Sequence, residues 1–225
     1  MTKNNIAVIT GTSRGLGLAL ANKFSAAGWQ VHGISRATLD LTSETQIKNF
    51  VCGFQKKEKR IDLLINNAGY GGKLLRVEET SLTEYRKLLD GNLLSAFLMC
   101  KYFVPVFRKQ KKGCIMNISS MAGQRAVPRL AAYSAAKFGV LALSQAVAKE
   151  NADVNLKCLT VCPGGMNTEM RAAIFGKADA AKQQSPEFVA GIIFDIYQNK
   201  IEVESGGDIV IRHGKITAVH PCPGI

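Results

Sequence analysis

Tyr133 and Lys137 stand four residues apart in the run Tyr133-Ser134-Ala135-Ala136-Lys137. On a helix that spacing places both side chains on one face, about a turn apart. A tyrosine with its ordinary pKa near 10 is a poor general base at neutral pH. An ammonium about 4 Å from the phenol, at an effective dielectric near 20, favours phenolate by roughly 4 kcal/mol, or about 3 pKa units. The pair is therefore expected to bring Tyr133 towards working pH, where acid–base transfer is most effective. Taken singly, such residues have plainer uses: a Tyr and a Lys at this spacing usually form a solvated face, and a serine such as Ser120 can cap a strand end. An asparagine such as Asn92, within a helical pattern, can face solvent or bond back to its own helix. A second chemical signal is Thr10-Gly11-Thr12-Ser13-Arg14-Gly15-Leu16-Gly17, where an apolar run feeds a glycine-rich turn that opens a helix. A phosphate would sit there: Gly11 can make the tight turn, Gly15 can let backbone N–H groups approach a pyrophosphate, and Gly17 can let the helix pack closely. Its G-x-x-x-G-x-G spacing differs from the common G-x-G-x-x-G fingerprint, so alone it is weak. The histidines His32, His213 and His220 and the cysteines show no ligand spacing, and no metal is expected.

These residues need elements to position them. Short apolar runs at Ile6 to Thr10, Gln30 to Ser35, Asp62 to Asn67, Cys114 to Ser119, Leu156 to Cys162 and Asp208 to Arg212 read as buried strands. Between them, three-to-four spacing marks helices: Leu16, Leu20 and Phe24, stopped by Gly28; Ile47, Val51 and Phe54; Leu88, Leu89, Leu93 and Phe97; Val140, Leu141, Ser144 and Val147; and Val189, Ile192, Ile193 and Ile196. Ser81-Leu82-Thr83-Glu84 reads as a capping box opening the third of these helices. Alternating strand and helix predicts an α/β fold, a doubly wound parallel sheet of Rossmann type with helices on both faces. No repeat, linker or second domain is evident, so residues 1–225 are read as one domain.

The 225 residues and their 47% hydrophobic content suit one ordinary globular core and exclude disordered and collagenous classes. The richest apolar stretch, Ala96 to Phe107, is broken by Lys101 and Pro105, so no membrane span is expected. The N-terminal apolar run is too short for a signal-peptide core, and the six scattered cysteines fit reduced thiols; a cytoplasmic location is expected. The net charge is 29 minus 17, or +12. Two basic runs, at 56–60 and 108–112, close helical patterns where cations suit the dipole, and Gly113 reads as a helix stop. Neither run is interleaved with aromatics, which argues against nucleic acid as the partner.

Taken together, the motifs resemble those of the short-chain dehydrogenase/reductase family, nicotinamide-dependent oxidoreductases with a seven-stranded doubly wound fold. The glycine-rich turn matches the family's cofactor motif, which implies contacts from Gly11, Ser13, Arg14, Gly15, Leu16 and Gly17. Asn66-Asn67-Ala68-Gly69 matches its sheet-stabilising and cofactor-lining motif, with Asn67, Ala68 and Gly69 at the cofactor. Asn92 falls 26 residues after Asn66, where the family carries a catalytic asparagine. Asn117-Ile118-Ser119-Ser120 ends a strand, and Tyr133 to Lys137 matches the YxxxK signature. Ser120 precedes Tyr133 by 13 residues, the family's interval, which selects it over Ser119. Pro163-Gly164 with Thr168 resembles the segment that contacts the nicotinamide carboxamide. The resemblance implies hydride transfer at the nicotinamide, with Tyr133 protonating the carbonyl oxygen and Ser120 holding it. Lys137 would bind the nicotinamide ribose, and Asn92 would support a water relay.

The chain departs from that family in three places. Only Ala37, Thr38 and Leu39 separate Arg36 from Asp40, where a full helix normally links the second and third strands. Asp40-Leu41 is then left to reach the adenine without that helix. The segment from Met166 to Ser185, expected to cover the substrate, mixes Met166, Met170, Ile174 and Phe175 with Arg171, Lys177 and Lys182, and suggests a modest, partly apolar pocket. The tail from Gly206 to Ile225 does not match the usual ending, which leaves the helices at about 82–112 and 132–149 as the expected dimer contact.

The expected cofactor is NADP(H) rather than NAD(H). NAD-preferring enzymes of this fold place a carboxylate at the end of the second strand, and a carboxylate there repels a 2′-phosphate. Here that strand ends in Ser35-Arg36, and the resemblance places Arg14 beside the same phosphate. The leading reading is a carbonyl reductase or alcohol dehydrogenase for a small or medium, partly hydrophobic substrate. The alternatives are a 3-oxoacyl thioester reductase, whose acidic acyl-carrier partner would meet the positive charge, and a non-catalytic dinucleotide-binding redox sensor.

Overall fold

The computed structural model describes residues 4–224. The six apolar runs are all strands: β1 (Ile6–Thr10), β2 (Gln30–Ile34), β3 (Leu63–Asn66), β4 (Lys112–Ile118), β5 (Asn155–Pro163) and β6 (Asp208–Arg212). They lie parallel in one sheet of order β2-β1-β3-β4-β5-β6-β7, and β7 (Lys215–His220) runs antiparallel on β6. Helices α1 (Gly15–Ala26), α2 (Glu44–Lys57), α3 (Leu82–Leu89), α4 (Ser95–Gln110), α5 (Ala131–Glu150), α6 (Glu169–Phe175), α7 (Lys177–Ala181) and α8 (Pro186–Tyr197) connect them.

Successive strand side chains point to opposite faces, and both faces are covered. From β1, Ala7 and Ile9 enter the core under α1 and α8, where Phe24 meets Trp29, Phe194 and Tyr197 edge to face. Ile6 and Val8 enter the opposite core, under α2 and α4, with Phe54 and Phe103 in edge contact. That double burial explains why the strands read as continuous apolar runs rather than alternating ones. No helix among the described residues is long and apolar enough to cross a membrane.

Seven strands are reached, but by a different route. Between β2 and α2 the chain makes only turns, at 36–38 and 41–42, so β2 is an edge strand. The seventh strand comes from the tail. His213 (φ 52°) and Gly214 (φ 70°) form a two-residue reversal between Arg212 and Lys215, the left-handed pair that matches the twist of a hairpin. A histidine at the first turn position hides this signal in the sequence.

Two local expectations need correction. Gly113 does not stop α4; Lys111 does, with φ 56°. Gly113 lies in β4, where a Cβ would fall inside the Phe107 ring, so it is glycine to admit that ring. The capping box at Ser81 is half made. Ser81 Oγ accepts from the Glu84 N–H at 3.2 Å, while the Glu84 carboxylate instead accepts from the Tyr70 hydroxyl at 3.0 Å.

Candidate active site

The glycine-rich turn sits where β1 meets α1, and its backbone is held from both sides. Gly11 and Thr12 donate N–H bonds to the Ile34 carbonyl at the end of β2, at 2.7 and 3.1 Å. Asn67 reaches over from β3, its Nδ2 donating to the Thr10 carbonyl at 2.8 Å, and Thr10 Oγ1 accepts from the N–H groups of Asn67 and Ala68. Gly11 (φ 75°) has no room for a side chain, since a Cβ would come within 2.9 Å of Ala68 Cα. A Cβ on Gly17 would strike the Gly11 carbonyl oxygen at 2.0 Å. Ser43, Ser81, Thr168 and Ser185 each cap a helix with a side-chain oxygen, whereas α1 has no side-chain cap and no acid in its first turn. The first-turn N–H groups of Gly15, Leu16 and Gly17 thus suit an anionic oxygen, and the site fits a dinucleotide pyrophosphate.

Asn66 and Asn117 tie the centre of the sheet together. Asn66 Nδ2 donates to Asn117 Oδ1 at 2.7 Å, and Asn117 Nδ2 donates to Ser144 Oγ at 2.8 Å, linking β3, β4 and α5. That chain sets α5 against the strand ends, and α5 carries Tyr133 and Lys137. Ser119 and Ser120 separate cleanly. Ser119 is buried and donates to the Lys137 carbonyl at 2.8 Å, whereas Ser120 lines a cleft and hydrogen-bonds the Tyr133 phenol.

Lys137 is 4% exposed, and its ammonium donates to the Ile118 carbonyl at 3.0 Å. An ammonium has three donors, so this bond leaves two for a ribose hydroxyl. Burial pushes the Lys137 pKa down to about 8. The expected depression of the Tyr133 pKa is overturned. Nζ lies 5.7 Å from the ring centroid, and burial raises the phenol pKa while the bond from Ser120 opposes it. Desolvation outweighs the ammonium because the lysine bonds a carbonyl rather than the phenol.

Asn92 is 2% exposed and sits in a π-helical turn, Asp90–Leu94, between α3 and α4. Wide turns of this kind are frequent at functional sites. Its Nδ2 donates to the Leu88 and Tyr70 carbonyls at 2.8 and 2.7 Å, and its Oδ1 accepts from the Tyr70 N–H. It therefore does bond back to its own helix, and at the same time pins the loop after Gly69. A Cβ on Gly69 would lie 2.8 Å from Asn92 Oδ1 and 3.6 Å from Lys137 Nζ, so that glycine stands between the two.

At the end of β2, Arg36 is exposed, one residue past Ser35. The Asp40 carboxylate accepts from Thr42, at 2.9 Å from its N–H and 2.7 Å from its hydroxyl. The Thr42 bonds hold its pKa below the usual range, with a smaller push from Arg36. Leu41 packs on the core beside α2. Arg14 reaches across the glycine turn to Glu169 at the start of α6, at 2.6 Å, in an exposed ion pair. Pro163 and Gly164 end β5, with the Gly164 N–H donating to the Ile211 carbonyl at 2.7 Å. Thr168 caps α6 and lies across from Gly15, 3.3 Å from where a Cβ there would be.

A cleft of about 470 Å³ opens beside Ser120 and Tyr133. Met166, Met170, Arg171, Ile174 and Phe175 line it, whereas Lys177 and Lys182 do not. Sequence reasoning missed Arg125, Arg212 and His213 in its wall. No spacing rule selects them, since one follows Ser120 in a loop and two come from the unforeseen hairpin.

Residues 32–179 match the sequence profile described as short chain dehydrogenase. An oxidoreductase of Botryotinia fuckeliana, BOA17, is 34% identical over 188 residues, covering 75% of this chain and 68% of that protein. An NADPH-dependent pterin aldehyde reductase of Arabidopsis thaliana is 28% identical over 224 residues, covering 91% of this chain and 92% of that one. The solved structure of a 3-ketoacyl-(acyl-carrier-protein) reductase from Brucella melitensis, complexed with NADH, superposes with a TM-score of 0.84 at 22% identity, over 93% of this chain and 96% of that one.

Proposed function

The chain belongs to the short chain dehydrogenase family of nicotinamide-binding oxidoreductases that act on CH–OH groups, and we propose that it is an NADP(H)-dependent enzyme interconverting a carbonyl and an alcohol. The substrate is small or medium and partly hydrophobic, and residues 1–225 form one catalytic domain. The observation that carries this reading is the meeting of Ser120 and Tyr133 at the cleft, with the Lys137 ammonium 5.7 Å from the Tyr133 ring and Thr168 of the cleft wall facing Gly15 at the uncapped start of α1. A bound nicotinamide supplies or accepts the hydride. Tyr133, kept protonated by burial, gives its proton to the carbonyl oxygen in reduction, and Ser120 donates a hydrogen bond to that oxygen. The Lys137 cation favours the phenolate left behind and holds the ribose. Asn92 acts from its π turn by holding the backbone that borders a proton-carrying water.

Arg36 supports NADP(H) over NAD(H), because it takes the place where a carboxylate would repel the 2′-phosphate. The plant relative's NADPH dependence agrees with that choice. Cofactor oxidation across a panel of ketones and aldehydes tests the activity. Tyr133→Phe should lower turnover by about 10²-fold or more with cofactor affinity nearly unchanged, and near-normal turnover would sink the mechanism. Arg36→Asp should weaken NADPH binding on the order of 10- to 10⁴-fold and spare NADH. A wild type that prefers NADH would overturn the cofactor assignment. We further infer a cytoplasmic homodimer: the six cysteines are free thiols, and Phe97 on α4 and Phe138 on α5 are 45% and 43% exposed.

A further inference from the structure

Every charged side chain lining the cleft is basic or a histidine: Arg125, Arg171, Arg212 and His213, with no carboxylate among them. Arg171 is engaged, its Nε donating to Asp179 at 2.5 Å and its guanidinium stacked 4.5 Å from the Phe175 ring centroid. Arg125 and Arg212 have no ion-pair partner among the described residues.

The backbone is shaped around these cations. A Cβ on Gly164 would lie 2.8 Å from Arg212 Cγ, and a Cβ on Gly165 would lie 2.8 Å from an Arg171 guanidinium nitrogen. Gly164 thus makes room for Arg212, and Gly165 for Gln183 first and then Arg171. The hairpin that carries Arg212 is tethered as well. Gln184 Nε2 donates to the Ile211 carbonyl at 3.0 Å, and Gln184 Oε1 accepts from the Gly214 N–H at 3.2 Å. Arg125 approaches from the turn that begins at Ser120, the residue that bonds the phenol. Two forks without acid partners, facing a cleft otherwise walled by Met166, Met170 and Ile174, match a planar oxyanion on an otherwise apolar molecule.

We propose that the substrate carries a carboxylate in addition to its reacting carbonyl or alcohol, held by Arg125 and Arg212. The proposal rests on the carbonyl–alcohol reading of the site, and the test separates the two. With NADPH, 4-formylbenzoate and the neutral 4-formylbenzamide are compared as substrates, and binding of 4-(hydroxymethyl)benzoate and its amide is measured by calorimetry. The carboxylate should win by about tenfold or more in KM and in Kd, the effect of one charge-assisted bond. Arg125→Gln and Arg212→Gln should each reduce that ratio, while Lys109→Gln at the end of α4 should leave it intact. Arg125 lies in an exposed bend, so its variant carries the test if the hairpin variant fails to fold. Equal binding of acid and amide, or a ratio unmoved in the arginine variants, overturns the proposal even if both aldehydes are reduced. Selective binding of the carboxylate without turnover of either aldehyde upholds the anion site and removes the reductase reading.

Discussion

Lys137 shows what a buried cation costs the fold. Its pKa falls from the ordinary lysine value of 10.5 to about 8 because burial disfavours the charged form, so the folded state holds its proton less tightly than the unfolded chain. The penalty is fully present below pH 8 and is relieved as pH rises from about 8 towards 10.5. By linkage it is of order 3 kcal/mol. Lys137→Met should therefore raise the melting temperature of the cofactor-free protein at pH 7, even after losing the bond to the Ile118 carbonyl, while turnover collapses. An unchanged or lower melting temperature would show that the burial penalty is offset elsewhere. For the wild type, kcat/KM for reduction should decline as pH passes about 8, where the cation that favours the phenolate is lost.

At the scale of elements, α4 and α5 serve both the site and the surface. The π turn ahead of α4 carries Asn92, and α5 carries Tyr133 and Lys137, while their outward faces expose Phe97 and Phe138. Pairing of those faces between two copies would remove exposed aromatic surface and brace α5. Phe97→Glu combined with Phe138→Glu should convert a dimer to a monomer in sedimentation velocity. A double variant that sediments as the wild type does would exclude this face. The motif spacing made Asn92 legible, but not the π turn, because hydrogen-bond register within a helix leaves no mark in apolar periodicity.

At the scale of the whole molecule, the reduced thiols set an alkaline limit. Burial pushes Cys100, Cys114 and Cys162 up to about 12 and raises Cys158 well above its ordinary value. The folded state therefore keeps protons that the unfolded chain loses above about pH 9. Their contribution is intact below that pH and is lost as pH rises towards 12, at about 1.4 kcal/mol per thiol per pH unit. The opposite trend from Lys137 offsets only one of the four. Urea midpoints should be nearly level from pH 7 to 8.5 and drop sharply by pH 10.5, and Cys114→Ala should drop less steeply. A profile that stays level to pH 10.5 would mean the thiols ionise in place.

Six strands, five helical patterns between them, the glycine turn and the approach of Tyr133 to Lys137 were legible because each is written in local spacing: apolar runs, three-to-four periodicity, and motif intervals along the chain. The seventh strand was not, since its turn uses His213 where Asn or Asp would have announced a hairpin. Arg14 illustrates the same limit, because its pairing with Glu169 joins residues 155 apart and no local pattern encodes it. The Tyr133 environment was misread because side-chain proximity follows from sequence, whereas desolvation depends on everything packed around it. The basic wall of the cleft belongs to the same class. Arg125 and Arg212 come from distant segments, and only the packing of the hairpin against Gly164 and Gln184 brings them to one surface. Local geometry travels with the chain; burial, charge pairing and pocket shape are sums over neighbours that the fold alone assembles.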